Sequence, residues 1–459
     1  MRATLVILGL GVCLFFDSRI RGIGHFGDGL RGILLGATGA SNLQQLIWIN
    51  LGVCFVVLTQ FRITVKPVRF WKISNPYFWL AAMLGIIMVR YVSGSCKGLY
   101  SVDVLLIVFW ALMGQGVGLW LTWCSVRGGS VNAFRLILCS VVIELLVALS
   151  LEGGNGLFEY HGEPRWVGSW RNPNTFGLLM GLGVVLSAGM FSGVSFPKLQ
   201  SGERQQWSTE HNSLVWRLLF GFAGILMMVG VIKSYCRGAL VGVVFGVSYI
   251  CLYVVRTVRF GRTPFFGMTR YFVCFSLCAG SLLLMGFWRF QYSEHVVVRR
   301  IVSVVNSDDF SWRNRLAAWE GGLQMIDDRL LLGFGWNDLA EIYESYYRNG
   351  GVIDGTAIET NDYLTCGTTL GMPALVCFCM YLWLLFTQKS DNCNWKLETA
   401  ELEWLQVISR AGALVLVVGF WFDGGLFKVP TASMFWILLE LGAVGSRPTA
   451  GVIKAPVGE

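Results

Sequence analysis

Apolar runs long enough to cross a bilayer, ~17–25 residues each, recur from one end of this sequence to the other. A chain so built must satisfy its backbone polar groups within each run, which in lipid means helices. Length and periodicity predict about twelve of them, near 1–16, 43–61, 77–92, 102–123, 131–151, 174–196, 218–234, 239–255, 271–288, 365–387, 405–422 and 432–445. Composition agrees, since 54% of residues are hydrophobic and only 14% charged, against roughly 25% charged in soluble domains. The expected class is an all-α polytopic membrane protein in which one membrane domain uses nearly the whole chain. The first segment, MRATLVILGLGVCLFF, has the apolar core of a signal peptide but no small-x-small cleavage site after it, and reads as a retained first helix.

Short loops rich in Lys and Arg stay on the cytoplasmic side. Loop 62–76 carries Arg62, Lys66, Arg69 and Lys72, and loop 256–270 carries Arg256, Arg259, Arg262 and Arg270, neither with an acidic residue. Both are expected inside, which by parity puts both termini and loops 124–130, 197–217 and 388–404 inside as well. The chain then divides into N-terminal helices (1–151), helices with their outer turns (152–288), a long outer loop (289–364), and closing helices with a cytoplasmic tail (365–459). The long loop holds Trp312, Trp319, Trp336, Tyr343, Tyr346 and Tyr347, too aromatic for a linker, and 313–328 is expected to be helical within it.

Most of the 13 cysteines fall inside predicted helices, where cysteine acts as a small apolar residue. Cys96, Cys236 and Cys366 fall near the outer face, where a disulfide among them is one reading. No Cys/His spacing suggests a metal, and no cofactor is expected. His25, His161, His211 and His295 stand in no motif. The inner share of the net charge of +8 follows from topology and calls for no nucleic-acid partner.

The outer share is another matter. Arg165, Arg171, Lys233, Arg237, Arg299, Arg300, Arg313 and Arg315 gather on the side where positive charge is normally scarce. Guanidinium binds phosphate bidentately and stays charged, which suits a lipid-linked pyrophosphate at headgroup depth. Interfacial snorkelling is the blander account of each arginine alone. In RWVGSWRNPN, Pro173 suits a first helical turn with Asn172 as its N-cap, so the positive helix end points out between Arg165 and Arg171. A capped helix with a Trp166/Trp170 aromatic belt is the alternative.

Three further stretches bear on the choice. KSYCRGALVGVVFG sets Arg237 and Gly238 at a helix mouth. WRNRLAAWEGGLQMIDDRLLLGFGWNDL puts Arg315 and Trp319 on one helical face, ahead of a Gly-rich turn. IETNDYLTCGTTLGMPAL places Glu359, Thr360, Asn361 and Asp362 just before a helix re-enters the membrane.

In order and spacing, these motifs over roughly 160–385 resemble the O-antigen ligase and O-antigen polymerase superfamily. The resemblance implies a metal-independent glycosyltransferase with GT-C-like architecture. It would take a glycan from an undecaprenyl-pyrophosphate carrier to a glycan or lipid acceptor, among membrane lipids, with its active site on the periplasmic side of the bacterial inner (plasma) membrane. It gives Arg237 and Arg315 the pyrophosphate, with Arg165, Arg171, Asn174, Arg313, Trp319 and Thr360 on the substrate. Ligases of the family usually have His-Asn where this chain has Thr360-Asn361, and threonine is no general base. Glu359, Asp362 and Asp354 are left as proton acceptors, with positioning and electrostatics alone as the other route. A polymerase, or a ligase-like transferase of altered acceptor, fits better than a lipopolysaccharide ligase proper. Arg165, Arg237, Arg315 and Asn361 are expected to surround one outer cavity. From a different class, a transporter or flippase also fits many helices, and Glu144 inside the fifth predicted helix, paired with Arg90 or Arg410 or else hydrated, is its best support.

Overall fold

The computed structural model describes residues 73–93, 107–108, 110–118, 121, 130–150, 158–193, 206–259, 310–335, 339–348, 360–387 and 398–443, apart from His161 and Arg171. The predicted helices at 1–16, 43–61 and 271–288 lie outside them, as do Arg299, Arg300, Asp354, Glu359 and Cys96. The described part is helical except for one two-stranded hairpin. Five of its helices are long and apolar enough to cross a membrane, at Val131–Ser150, Pro173–Ser192, Leu214–Ser234, Arg237–Arg256 and Glu401–Phe422. The protein is a membrane protein whose chain divides into two compact units, each built from discontinuous segments.

The first unit holds most of α2 (Ser130–Ser150), the hairpin β1 (Glu159–Tyr160) and β2 (Glu163–Pro164), α3 (Pro173–Gly193), α4 (Gln206–Ser234), α5 (Arg237–Arg259) and α9 (Glu398–Phe422). Helix α3 is the axis, and α4, α5 and α9 all pack on it. Small residues let backbones approach where lipid supplies no hydrophobic drive between helices. A Cβ on Gly242 of α5 would stand 2.7 Å from the Val415 carbonyl oxygen of α9, and one on Gly189 of α3 2.6 Å from Ile408. Polar side chains add cross-links: Trp404 Nε1 donates to the Gly189 carbonyl (3.1 Å), Tyr253 Oη to Glu403 (3.3 Å), and Arg135 pairs with Glu401. Glu144 Oε2 is buried without a hydrogen-bond partner among the described residues.

The second unit holds α1 (Pro76–Val92), the helical stretch 110–118, α6 (Phe310–Asp328), α7 (Asp362–Leu370), α8 (Met372–Thr387) and α10 (Val429–Leu441). Helix α8 packs on α1 and α7, and α6 on α7. Glu440 of α10 is fully buried, accepting from Tyr77 Oη (3.2 Å), Gln115 Nε2 and Tyr381 Oη, so four segments meet on one carboxylate. Beside α6, Ala318, Met325, Leu339 and Tyr343 form a small core with Phe334 and Tyr347.

Several boundaries differ from expectation. The single helix predicted at 365–387 is two, because Gly371 takes φ +86 and ends α7 with its N–H on the Gly367 carbonyl. Helices α4 and α9 begin at Gln206 and Glu398, inside stretches read as loops, since polar first turns do not stop a helix whose later turns are packed. Helix α6 matches the expected 313–328 closely.

Candidate active site

In the first unit the site is built where α3 and α5 begin. Asn172 caps α3 as expected, its Oδ1 accepting from Asn174 N (2.9 Å) and Thr175 N (3.1 Å). Those N–H groups are therefore spent on the cap, and an anion here would be met by side chains. Gly168, at φ +59, turns the chain so that Trp170 buries itself on Phe176, ring centroids 6.3 Å apart. Trp170 is thus core and not a lipid-facing belt.

Arg165 is fixed at both ends of its guanidinium. Nε donates to the Ser234 carbonyl (2.8 Å) and Nη2 to Asn174 Oδ1 (2.9 Å), while the Trp166 N–H holds the Lys233 carbonyl (3.0 Å). The α4–α5 turn is itself tightly wound. Tyr235 takes φ +52, its ring lies 5.4 Å from that of Tyr160, and Ser234 Oγ accepts from Cys236 N (3.2 Å). A left-handed residue that is not glycine is held there by its surroundings.

Cys236 caps α5. Its Sγ accepts from Ala239 N (3.4 Å) and donates to Asp423 Oδ2 (3.1 Å). Burial first, and then the nearby Asp423 carboxylate, push this thiol well above the usual range. Cys236 and Cys366 are both buried and free, so neither is in the disulfide that was one reading of the sequence. The pairing of Arg237 with Gly238 now has a physical reason: Gly238 leaves room for Asp423, whose Oδ2 would stand 2.4 Å from a Cβ there. Arg237, one residue after the cap, is itself buried. Asp423 was absent from the sequence-based site, and the only signal for it was a lone carboxylate closing an apolar helix ahead of two glycines.

The second unit carries the other predicted residues. Asn361 is buried and caps α7, Oδ1 accepting from Tyr363 N (3.0 Å) and Leu364 N (3.2 Å). Its Nδ2 is buried without a hydrogen-bond partner among the described residues. Asp362 is also buried, and its Oδ2 accepts from Gly425 N and Leu426 N at 2.6 and 2.7 Å. Thr360 ends the segment that leads into this cap, in a 3₁₀ turn.

On α6, Arg313 is exposed and Arg315 half-buried, and the Trp319 ring meets Trp312 edge-on at 5.6 Å. The Arg-Leu-Leu-Leu-Gly-Phe-Gly turn has a structural task. Phe334 N donates to the Thr368 carbonyl (2.7 Å) and Gly335 N to that of Thr369 (3.0 Å), satisfying the open end of α7. Gly333 and Gly335 take φ +60 and +88 to do so, and Arg329 stacks 4.5 Å above the Phe334 ring. Arg171 and Glu359 lie outside the described residues.

Comparison with known families gives a match at residues 222–379 to the family described as O-antigen ligase. This stretch, from α4 through α8, supports membership of the O-antigen ligase and polymerase superfamily and, in general terms, a ligase-like glycan-transfer function. A comparison with curated proteins gives no match.

Proposed function

We propose that this protein is a multi-pass glycosyltransferase of the O-antigen polymerase or ligase type, with about twelve membrane helices in a GT-C-like arrangement. It moves a glycan from an undecaprenyl-pyrophosphate carrier to an acceptor hydroxyl, on the periplasmic side of the bacterial inner membrane. The observation that carries this reading is the α4–α5 turn, where the buried Arg237 stands three residues after Ser234, the carbonyl that Arg165 holds.

The reaction needs little beyond placed charge. The acceptor oxygen attacks the anomeric carbon, the bond from that carbon to the pyrophosphate oxygen breaks, and the electron pair leaves on the diphosphate. Arg237 and Arg315 meet that growing negative charge, an effect strongest in a site poor in water. Arg165 and Asn174 keep the α3 mouth in register with the α4–α5 turn. Asn361 presents its Nδ2–H₂, without a partner among the described residues, to a sugar or phosphate oxygen. Asp362 positions, since one of its oxygens is committed to two backbone N–H groups. The acceptor proton then passes to Glu359, while Arg171, Arg313, Trp319 and Thr360 contact the glycan or its carrier.

Deleting the gene and displaying the surface glycan on a gel tests this, with complementation by wild type, Arg237→Ala, Arg315→Ala and Thr360→His. Loss of long chains with single-repeat material still attached means polymerase. Loss of all attached glycan, with lipid-linked polymer accumulating, means ligase. An unchanged glycan pattern in the deletion strain overturns the proposal and leaves Glu144 of α2 as the starting point for a transport role.

A further inference from the structure

The turn after α6 carries three consecutive leucines that no described residue of its own unit covers: Leu330, Leu331 and Leu332 are 49%, 68% and 63% exposed. On an extramembrane loop such a patch asks for a partner. The hydrogen bonds around it say where it sits. Met372 N, the first amide of the apolar helix α8, donates to the Leu330 carbonyl at 2.8 Å, and Gly371 packs on the Leu331 carbonyl. Arg90, near the end of the apolar helix α1, donates to the Gly333 carbonyl at 3.4 Å. The leucines are thus tied to one end of two packed apolar helices. Helices α1 and α8 have 17 and 16 residues, about 24–26 Å at 1.5 Å per residue, shorter than the ~30 Å hydrocarbon core. A helix that short cannot hold both ends clear of the hydrocarbon, which favours the lipid boundary for a turn bonded to one of them.

Helix α6 extends the same edge. Trp312, Leu316, Trp319 and Leu323 follow at i, i+4, i+7 and i+11, one stripe of the helix. Leu316 and Leu323 are exposed, while Arg313, Glu320, Gln324 and Asp327 fall on the neighbouring face. The face away from the leucines, with Ala318 and Met325, is buried in the small core, and an exposed leucine stripe edged by charge suits a helix lying in a membrane interface. Val89 and Val92, on either side of Arg90 near the end of α1, are exposed as well.

We propose that Leu330–Leu332, continuous with Leu316 and Leu323, form a lipid-inserted edge that seats α6 on the bilayer surface, with the acyl chains of the adjacent leaflet as the occupant. The loop bearing Arg313 and Arg315 then rides at headgroup depth rather than standing free in solvent. This rests on the reading of α1 and α8 as membrane crossings, one part of the proposed architecture.

A photo-reactive diazirine amino acid placed in turn at positions 331, 383 and 320 separates the possibilities. The full-length protein is reconstituted in nanodiscs of phosphatidylethanolamine and phosphatidylglycerol, irradiated, and its lipid adducts counted by mass spectrometry. Trp383, exposed in α8, is the membrane control, and Glu320 the solvent control. Lipid adducts at 331 are expected to match those at 383 and to exceed those at 320 roughly tenfold, the occupancy ratio that burying one leucine supplies. Adducts at 383 but not at 331 overturn the lipid edge and leave the α8 crossing intact, as would cross-links from 331 to protein alone. No adducts at 383 remove the crossing on which the edge depends. Should the position-331 variant fail to reconstitute, the same comparison at Leu323 decides the matter.

Discussion

One oxygen of Asp362 holds the backbone N–H groups of both Gly425 and Leu426, at 2.6 and 2.7 Å, across 63 and 64 residues of sequence. All three residues are buried, so neither N–H has water as an alternative. Asp362→Ala leaves two buried donors unsatisfied at about 1–3 kcal/mol each, and a lowered Tm in detergent is expected. Asp362→Asn keeps one acceptor oxygen and should fall between. An unchanged Tm in the alanine variant would mean that the loop after α9 is held by other contacts.

Cys236 caps α5 through sulfur, and the choice of replacement isolates that role. Cys236→Ser keeps an acceptor for Ala239 N and is expected to stay within a few tenths of a kcal/mol of wild type, whereas Cys236→Ala should lose about 1 kcal/mol. The folded thiol titrates above its unfolded value because of burial and Asp423. Its contribution to stability is therefore fully present below the ordinary thiol range of ~8.5 and declines as pH rises beyond it. Iodoacetamide at neutral pH should leave Cys236 unmodified until the protein unfolds, which peptide mapping would check. Ready alkylation of the folded protein would contradict the buried, proton-retaining geometry.

Glycines with different surroundings should answer differently to one methyl group. Gly371 takes φ +86, and a Cβ there would stand 2.4 Å from the Leu331 carbonyl oxygen, backbone that cannot swing away. Gly371→Ala is expected to cost more than the ~1–2 kcal/mol of left-handed strain alone. Gly85, in the middle of α1, has nothing within 4 Å of a Cβ, so Gly85→Ala should be neutral or stabilise by roughly 0.5–1 kcal/mol. Thermal unfolding of the two variants side by side gives the sign of each.

What was readable in the sequence divides along physical lines. Apolar runs, the Asn172 cap and the 313–328 helix depend on residues near one another in the chain, and local patterns report them. The break at Gly371 escaped although Pro373 follows it, because glycine within an apolar run is usually tolerated in a helix; here the Leu330 carbonyl accepts from Met372 N across 42 residues, and the Leu331 carbonyl leaves no room for a Cβ. Asp423 escaped for the same reason, since its meaning comes from Cys236 and Gly238, which lie nearly 200 residues earlier. The glycines of the Gly-Phe-Gly turn stood out, but their task, capping α7, is a backbone contact that no local pattern encodes.

Arg165 and Arg237 share a turn but should fail in different ways. Arg165 bridges two fixed acceptors, Ser234 O and Asn174 Oδ1, with two separate nitrogens. Lysine places one ammonium on a flexible stem and cannot span both. Arg165→Lys is therefore expected to lower Tm and to reduce glycan transfer in proportion to the loosened turn, with a raised KM for the lipid-linked donor. Arg237 has the proposed role of meeting leaving-group charge, so Arg237→Ala should reduce kcat about 10²–10³-fold, while Arg237→Lys retains part of the rate through its point charge. Assays of both series on a lipid-pyrophosphate-linked donor, with Tm recorded alongside, distinguish the two. If Arg165→Lys left KM untouched, or Arg237→Ala changed only KM, the division of labour between a positioning arginine and a charge-stabilising one would be wrong.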